Sequence, residues 1–247
     1  MKIFVFGGTT EGRLLARELT MLGACVTVSV ATALGAEELR GIPSLAVCVG
    51  RKSAQEMQKM LAGFALCVDA THPYAAEASG NIRAACLAAG VPYRRLLRAA
   101  SALPPDSMVV PDAPAAARWL AGTRGNILLA TGAKELAAFA GLDAARLYPR
   151  VLPTHEGIAA CEAAGVPHGN IIALQGPFSQ ALNEALMRRF DIAYLVTKDG
   201  GAPGGFDAKA QAARNVGARL VVIRRPADSG EAYTVVLNEC REMMACR

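Results

Sequence analysis

Short apolar runs alternate with alanine-rich amphipathic segments along the chain, a pattern that predicts parallel sheets joined by crossover helices. Strands are expected over residues 2–6, 25–30, 45–49, 66–69 and 93–97, with helices over 11–22, 53–61 and 75–89. The strands are too continuously apolar to leave one face in water, so helices are expected on both faces. Gly23 and Gly90 follow two helix ends, where a left-handed residue is wanted. The pattern breaks over 101–107, around Pro104 and Pro105, and then restarts. Strands are expected at 127–130, 147–152, 171–174, 192–197 and 220–223, and helices at 134–140, 156–164, 179–190 and 206–216. The expected fold is α/β, with two Rossmann-like domains whose parallel sheets are covered by helices. The first domain spans 1–100 and the second 101–247.

Composition narrows the function. Apolar residues make up 53% of the 247 positions, which excludes a disordered chain. The charge of +5, from 26 basic and 21 acidic residues, is scattered without any run of five or more like charges. A nucleic-acid binder concentrates its basic residues, so an anionic small molecule suits this pattern better. A run of only four apolar residues, Ile3 to Phe6, precedes Gly7, too few for a secretory core, and no stretch approaches a membrane span. A cytoplasmic protein with no membrane partner is expected, as a monomer or weak homo-oligomer. The seven cysteines are odd in number and contain no C-x-x-C pair. They are expected to be reduced, buried thiols, with no metal site.

In parallel sheets ligands bind beyond the C-terminal strand ends, and the unusual residues of this chain fall there. Gly7, Gly8, Thr9, Thr10, Glu11, Gly12 and Arg13 join the first strand to the first helix. Gly7 and Gly12 hold the outer positions of G-x-G-x-x-G, and Thr9 replaces the middle glycine. The loop amides and the two threonine hydroxyls can meet a diphosphate at the helix N-terminus, and Arg13 can pair with a phosphate. An empty structural turn is the competing reading. The second strand ends Val28-Ser29-Val30-Ala31-Thr32, with no acid before Glu37. An NAD site places an acid there for the ribose diol, whereas Ser29 and Thr32 would tolerate a 2′-phosphate that Arg51 and Lys52 could approach. NADPH is therefore expected ahead of NADH, and S-adenosylmethionine is disfavoured. Thr71 and His72 follow the 66–69 strand and complete the cofactor set.

Taken together, GGTTEGR (7–13), DATHPYA (69–75), TGAKEL (131–136), RVLPT (150–154), QGPFS (175–179), TKDGGAPGGFDAK (197–209) and RRP (224–226) resemble the precorrin-6A reductase family, in its cobalt-free and cobalt-containing versions. The family commonly has Ser after the Lys-Asp/Glu of the late block, where this chain has Gly200. One substrate contact is therefore in doubt. The resemblance implies a role in cobalamin biosynthesis. It implies reduction of one C=C bond of a ring-contracted tetrapyrrole by a reduced nicotinamide, with hydride to C19 and a proton to C18.

A polycarboxylate substrate calls for cations and amide donors. Arg150, Lys198 and Lys209 are the expected carboxylate clamps, each weighed against a solvated surface role. Gln175, Gly176, Pro177, Phe178 and Ser179 open a helix and could form an anion seat, unless Ser179 is an ordinary cap. Asp199 and Gly201 belong to the late block. His72 and Asp199 are the weak catalytic candidates, and either could instead hold its turn. His155 and His168 read as structural or surface residues. Tyr194 and Lys198 have short-chain-dehydrogenase spacing, but on a strand their Cα atoms would lie about 13 Å apart. The remaining alternatives are a Rossmann-type epimerase, dehydratase or dehydrogenase on another small substrate, or a nonenzymatic nucleotide-binding sensor.

Overall fold

The computed structural model describes residues 1–98, 100–201 and 204–246. Ala202 and Pro203, within the 197–209 motif, lie outside the described residues. The chain forms two compact units, Met1–Ala99 with Pro226–Arg247, and Ala100–Arg225.

In the first unit, β1 (Lys2–Phe6), β2 (Cys25–Val30), β3 (Ala46–Val49), β4 (Leu66–Asp69) and β5 (Tyr93–Arg95) form a parallel sheet in the order β3-β2-β1-β4-β5. Its helices are α1 (Thr10–Met21), α2 (Ala33–Glu37), α3 (Ala54–Leu61) and α4 (Ala76–Ala89). Successive side chains of β1 point to opposite faces, and the core divides accordingly. Ile3 and Val5 pack with Leu15 and Leu19 of α1, while Phe4 and Phe6 pack with Leu61 of α3 and Ile82 of α4. Ser53 and Glu56 form a capping box at α3, and Gly23 and Gly90 take the expected positive φ of 88° and 65°.

In the second unit, β6 (Met108–Val110), β7 (Asn126–Ala130), β8 (Leu147–Val151), β9 (Ile172–Ala173), β10 (Ile192–Lys198) and β11 (Arg219–Ile223) form a parallel sheet ordered β6-β11-β10-β7-β8-β9. Helices α5 (Ala113–Ala121), α6 (His155–Ala163), α7 (Gln180–Arg189) and α8 (Phe206–Val216) connect them. The α/β class with two Rossmann-like, helix-covered parallel sheets is as expected. Tyr194 and Lys198 both lie on β10, so their dehydrogenase-like spacing has no helix to act on.

Several expectations need correction. The second domain does not run to the C-terminus: helix α9 (Tyr233–Ala245) packs Val236, Leu237 and Cys240 into the core of the first unit beside α1. Glu231 bridges Leu96 in parallel, and the Glu231 N–H donates to the Arg95 carbonyl at 2.8 Å. An apolar stripe on α9 needs a partner, and the sequence alone does not say which sheet supplies it. The segment expected to be a helix at 134–140 is a 3-10 helix, Ala133–Phe139, the tighter form that short connectors between elements often take. The 171–174 strand shrinks to Ile172–Ala173, an edge strand stopped by the following Gly176-Pro177 turn. Strand β3 is not buried on both faces: it lies at the sheet edge beside the short α2, and Val47 and Val49 are exposed. For the same reason Cys48 is only half-buried, and Cys25 and Cys246 at segment ends are exposed, while the other four thiols are buried. All seven are free. No helix of the described residues is long and apolar enough to cross a membrane.

Candidate active site

In the first unit the sheet order reverses between β1 and β4, and the loops after these strands are joined there. The Gly7 N–H donates to the Ser29 carbonyl at 2.8 Å, and a Cβ on Gly7 would lie 3.0 Å from Val28. Gly8 has φ +134° with open space where a side chain would stand. Thr9 caps α1 by accepting from the Gly12 N–H at 3.1 Å, and its hydroxyl donates to the Ala70 carbonyl at 2.9 Å. A Cβ on Gly12 would lie 2.7 Å from that of Ala70, so only glycine lets α1 approach the end of β4 this closely. The result is a short loop at the positive end of a 12-residue helix, open at Gly8 and Thr10.

The charged residues of this loop are placed differently from expectation. Arg13 is half-buried and faces Glu38 at 3.5 Å. Glu11 is held at 2.7 Å by Arg98, a half-buried cation beside the loop that no sequence pattern marks. Ser29 is buried and serves the loop through its carbonyl, and Thr32 caps α2 by accepting from the Gly35 N–H. Because Val30 pairs with Val49, and the Gly50 N–H donates to the Val30 carbonyl at 2.9 Å, Arg51 and Lys52 come next to the end of β2.

Thr71 is taken up in a buried network. The carboxylate of Asp69, fully buried, accepts from the Thr71 N–H and hydroxyl at 3.0 and 2.7 Å. It also accepts from Arg95 at 3.1 Å and from the Tyr93 hydroxyl at 2.9 Å. Arg95 reaches Asp228 of the returning C-terminal segment at 2.8 Å. The His72 Nδ1 accepts from the Tyr74 N–H at 3.4 Å, which gives this histidine a part in the turn.

In the second unit the order reverses between β7 and β10. Lys198, at the end of β10, is paired with Glu135 after β7. Asp199 accepts from the Ser101 and Gly201 N–H groups, each at 3.2 Å, and faces Arg225 at 3.6 Å. Asp199 and Gly201, with φ +71°, therefore shape the turn.

Arg150 and Lys209 form a second cluster. Arg150, near the end of β8, is 8% exposed, and so is Lys209 in the first turn of α8. Among the described residues no carboxylate forms an ion pair with either. Burial holds the Arg150 pKa down to about 10. Burial first, then the Arg150 charge, holds Lys209 down to about 8, with Asp199 pulling the other way. The Arg150 guanidinium stacks on Phe178, its carbon 4.2 Å from the ring centroid, and donates to Asn183 Oδ1 at 2.8 Å. Phe178 in turn lies against Gly176, where a Cβ would meet the ring at 2.9 Å. Gln175, Gly176 and Pro177 are exposed, and Ser179 caps α7 by accepting from the Leu182 N–H. Asn183, Glu135 and Arg98 are the residues that sequence reasoning did not single out. Asn183 could have been marked only as a polar residue on an apolar face of its helix, and Glu135 only by its place in the 131–136 motif. A recess of the first unit, lined by Met1, Lys2, Cys25 and Phe64, lies at the opposite ends of its strands from the loops after β1 and β4.

A family model described as "Precorrin-6x reductase CbiJ/CobK" matches residues 2–246. The chain is 36% identical to the cobalt-precorrin-6A reductase of Priestia megaterium, across 91% of this chain and 90% of the relative. It is 36% identical to that of Salmonella typhimurium, across 91% and 87%. It is 31% identical to the precorrin-6A reductase of Rhodobacter capsulatus, across 92% and 88%. Among solved structures, "CobK precorrin-6A reductase" aligns with a TM-score of 0.81 at 28% identity, covering 98% of this chain and 97% of that one. The chain therefore belongs to the precorrin-6x reductase family and is an oxidoreductase.

Proposed function

We propose that this protein reduces precorrin-6A, or its cobalt form, to precorrin-6B with NADPH as donor. The observation that carries the reading is the pair of buried cations, Arg150 and Lys209, with which no carboxylate of the described residues forms an ion pair. Burying two like charges with no ion-paired carboxylate is costly, Asp199 offsets Lys209 only in part, and a carboxylate-rich macrocycle would supply the rest. Gln175 and Gly176, exposed next to Phe178, add amide donors, and Phe178 adds an aromatic face, at the same place.

The loop of residues 7–13 fits a nucleotide diphosphate: a side chain at Gly8 would have no neighbour within 4 Å of its Cβ, and the helix dipole behind it favours an anion. Arg51 and Lys52, beside an acid-free β2 end, favour the 2′-phosphate of NADPH over the bare ribose diol of NADH. A reduced nicotinamide, when bound, supplies the hydride that the resemblance directs to C19. Arg150 and Lys209 anchor the macrocycle, and fixed orientation of this kind lowers the barrier without a strong acid or base. Thr71 and His72 hold the β4 turn through Asp69 and Tyr74, so the proton for C18 comes from water in this reading.

The test is an anaerobic assay of precorrin-6A and its cobalt form with NADPH and with NADH. Loss of absorbance at 340 nm, faster with NADPH, is expected for at least one tetrapyrrole. A flat trace in all four combinations would sink the proposed activity, and equal rates with both nucleotides would sink the role of Arg51 and Lys52.

A further inference from the structure

Asn183 is an unexpected residue for its place. It lies on α7 at 0% exposure, one turn before buried Met187, on a face where an aliphatic side chain would pack without any polar debt. Asparagine is a poor helix former, and a buried amide is tolerated only when its hydrogen bonds are made. Here they are. The Asn183 Nδ2 donates to the Ser179 and Phe178 carbonyls at 2.9 and 3.4 Å, and Oδ1 accepts from Arg150 Nη1 at 2.8 Å. With two carbonyls on one side and a guanidinium on the other, the amide has one orientation that satisfies all three.

The guanidinium is thus held twice, edge-on by Asn183 and face-on by Phe178. Its other N–H groups make no hydrogen bond among the described residues. The partner that fixes it is neutral. An aspartate of the same size would close a buried ion pair and cancel the charge, while losing the two donations to the Ser179 and Phe178 carbonyls. Resting on the reading of Arg150 as a carboxylate anchor, we infer that Asn183 is the positioning residue that orients Arg150 while leaving its positive charge uncompensated, so that a carboxylate of the substrate closes the ion pair.

The experiment compares Asn183→Asp, Asn183→Ala and Arg150→Gln with the parent enzyme, measuring kcat, KM for each substrate and the thermal midpoint. Asn183→Asp is expected to raise the tetrapyrrole KM about tenfold or more, one charge-assisted interaction's worth. The NADPH KM and kcat should stay within about twofold, while the thermal midpoint should fall, because the Ser179 and Phe178 carbonyls lose their shared donor. Asn183→Ala, which folds without a buried charge, is expected to raise the same KM with a lower midpoint. If Arg150→Gln raises the tetrapyrrole KM but Asn183→Asp leaves it unchanged, the role given to Asn183 is wrong. A uniform loss of kcat and of both KM values in both Asn183 variants would mark a merely structural residue and also overturn it. An unchanged KM in Arg150→Gln would instead overturn the anchor reading beneath it.

Discussion

Lys209 shows how one buried side chain ties affinity, stability and pH together. Its pKa lies near 8, below its ordinary 10.5, while Arg150 keeps its charge to about 10. Raising the pH through 8 therefore removes one of the two anchoring charges, and the tetrapyrrole KM is expected to rise over that range. A Lys209→Arg variant, charged throughout, should move that limb to higher pH, and an unmoved limb would remove Lys209 from the anchor. Stability runs the other way. Between about pH 8 and 10.5 the folded protein binds fewer protons at this site than the unfolded chain, so this contribution to stability rises with pH across that window. Lys209→Met should accordingly raise folding stability by about 1–3 kcal/mol while weakening substrate binding. Chemical denaturation alongside steady-state kinetics measures both, and a destabilised variant would show that the lysine's packing outweighs its desolvation cost. The sequence placed Lys209 and Arg150 among the substrate contacts, but not their burial, because charge type is legible in one residue and solvent exposure is not.

The element that bears most on the cofactor is the turn from β1 into α1. Gly12→Ala would put a methyl 2.7 Å from the Ala70 Cβ and push α1 from the end of β4. The expected loss is about 1–3 kcal/mol of stability together with a raised NADPH KM. Thr9→Ala loses the cap and the tie to Ala70, and should cost about 1 kcal/mol. Thermal melts and coenzyme titrations check both, and a Gly12→Ala protein with parental stability and KM would mean the helix can shift freely. This turn was readable beforehand because glycine and capping requirements are local. The neighbouring strand end was less so. Thr71 looked like a cofactor contact, yet its hydroxyl is held by Asp69, and Asp69 is held by Arg95 from another strand. Glu135 likewise takes up Lys198 from 63 residues away, a pairing that no local pattern announces.

Across the full chain, the first unit is completed by the far C-terminal end. Removing residues 226–247 would uncover the core that Val236, Leu237 and Cys240 close, at about 1.5–3 kcal/mol for each large side chain. It would also strip Asp228 from Arg95, which is 3% exposed, and breaking a buried pair costs about 3–5 kcal/mol. These losses are comparable to the stability of an entire domain. A chain ending at Arg225 is therefore expected to lose NADPH binding and to become protease-sensitive within residues 1–99. Limited proteolysis with mass spectrometry reads this out, and a resistant, NADPH-binding truncation would contradict it.

Residue order was enough to establish the alternation of strands and helices, the parallel sheets, the glycine turn after β1, and the motifs that mark the family. Each of these follows from local propensity, periodicity or a short spacing. Packing in three dimensions settled which sheet receives the C-terminal helix, which cations are left without a carboxylate, and which neutral amide holds Arg150 in place. Those outcomes depend on contacts between residues far apart in the chain. Burial and charge compensation are properties of what surrounds a side chain, and its surroundings are assembled only when the chain folds.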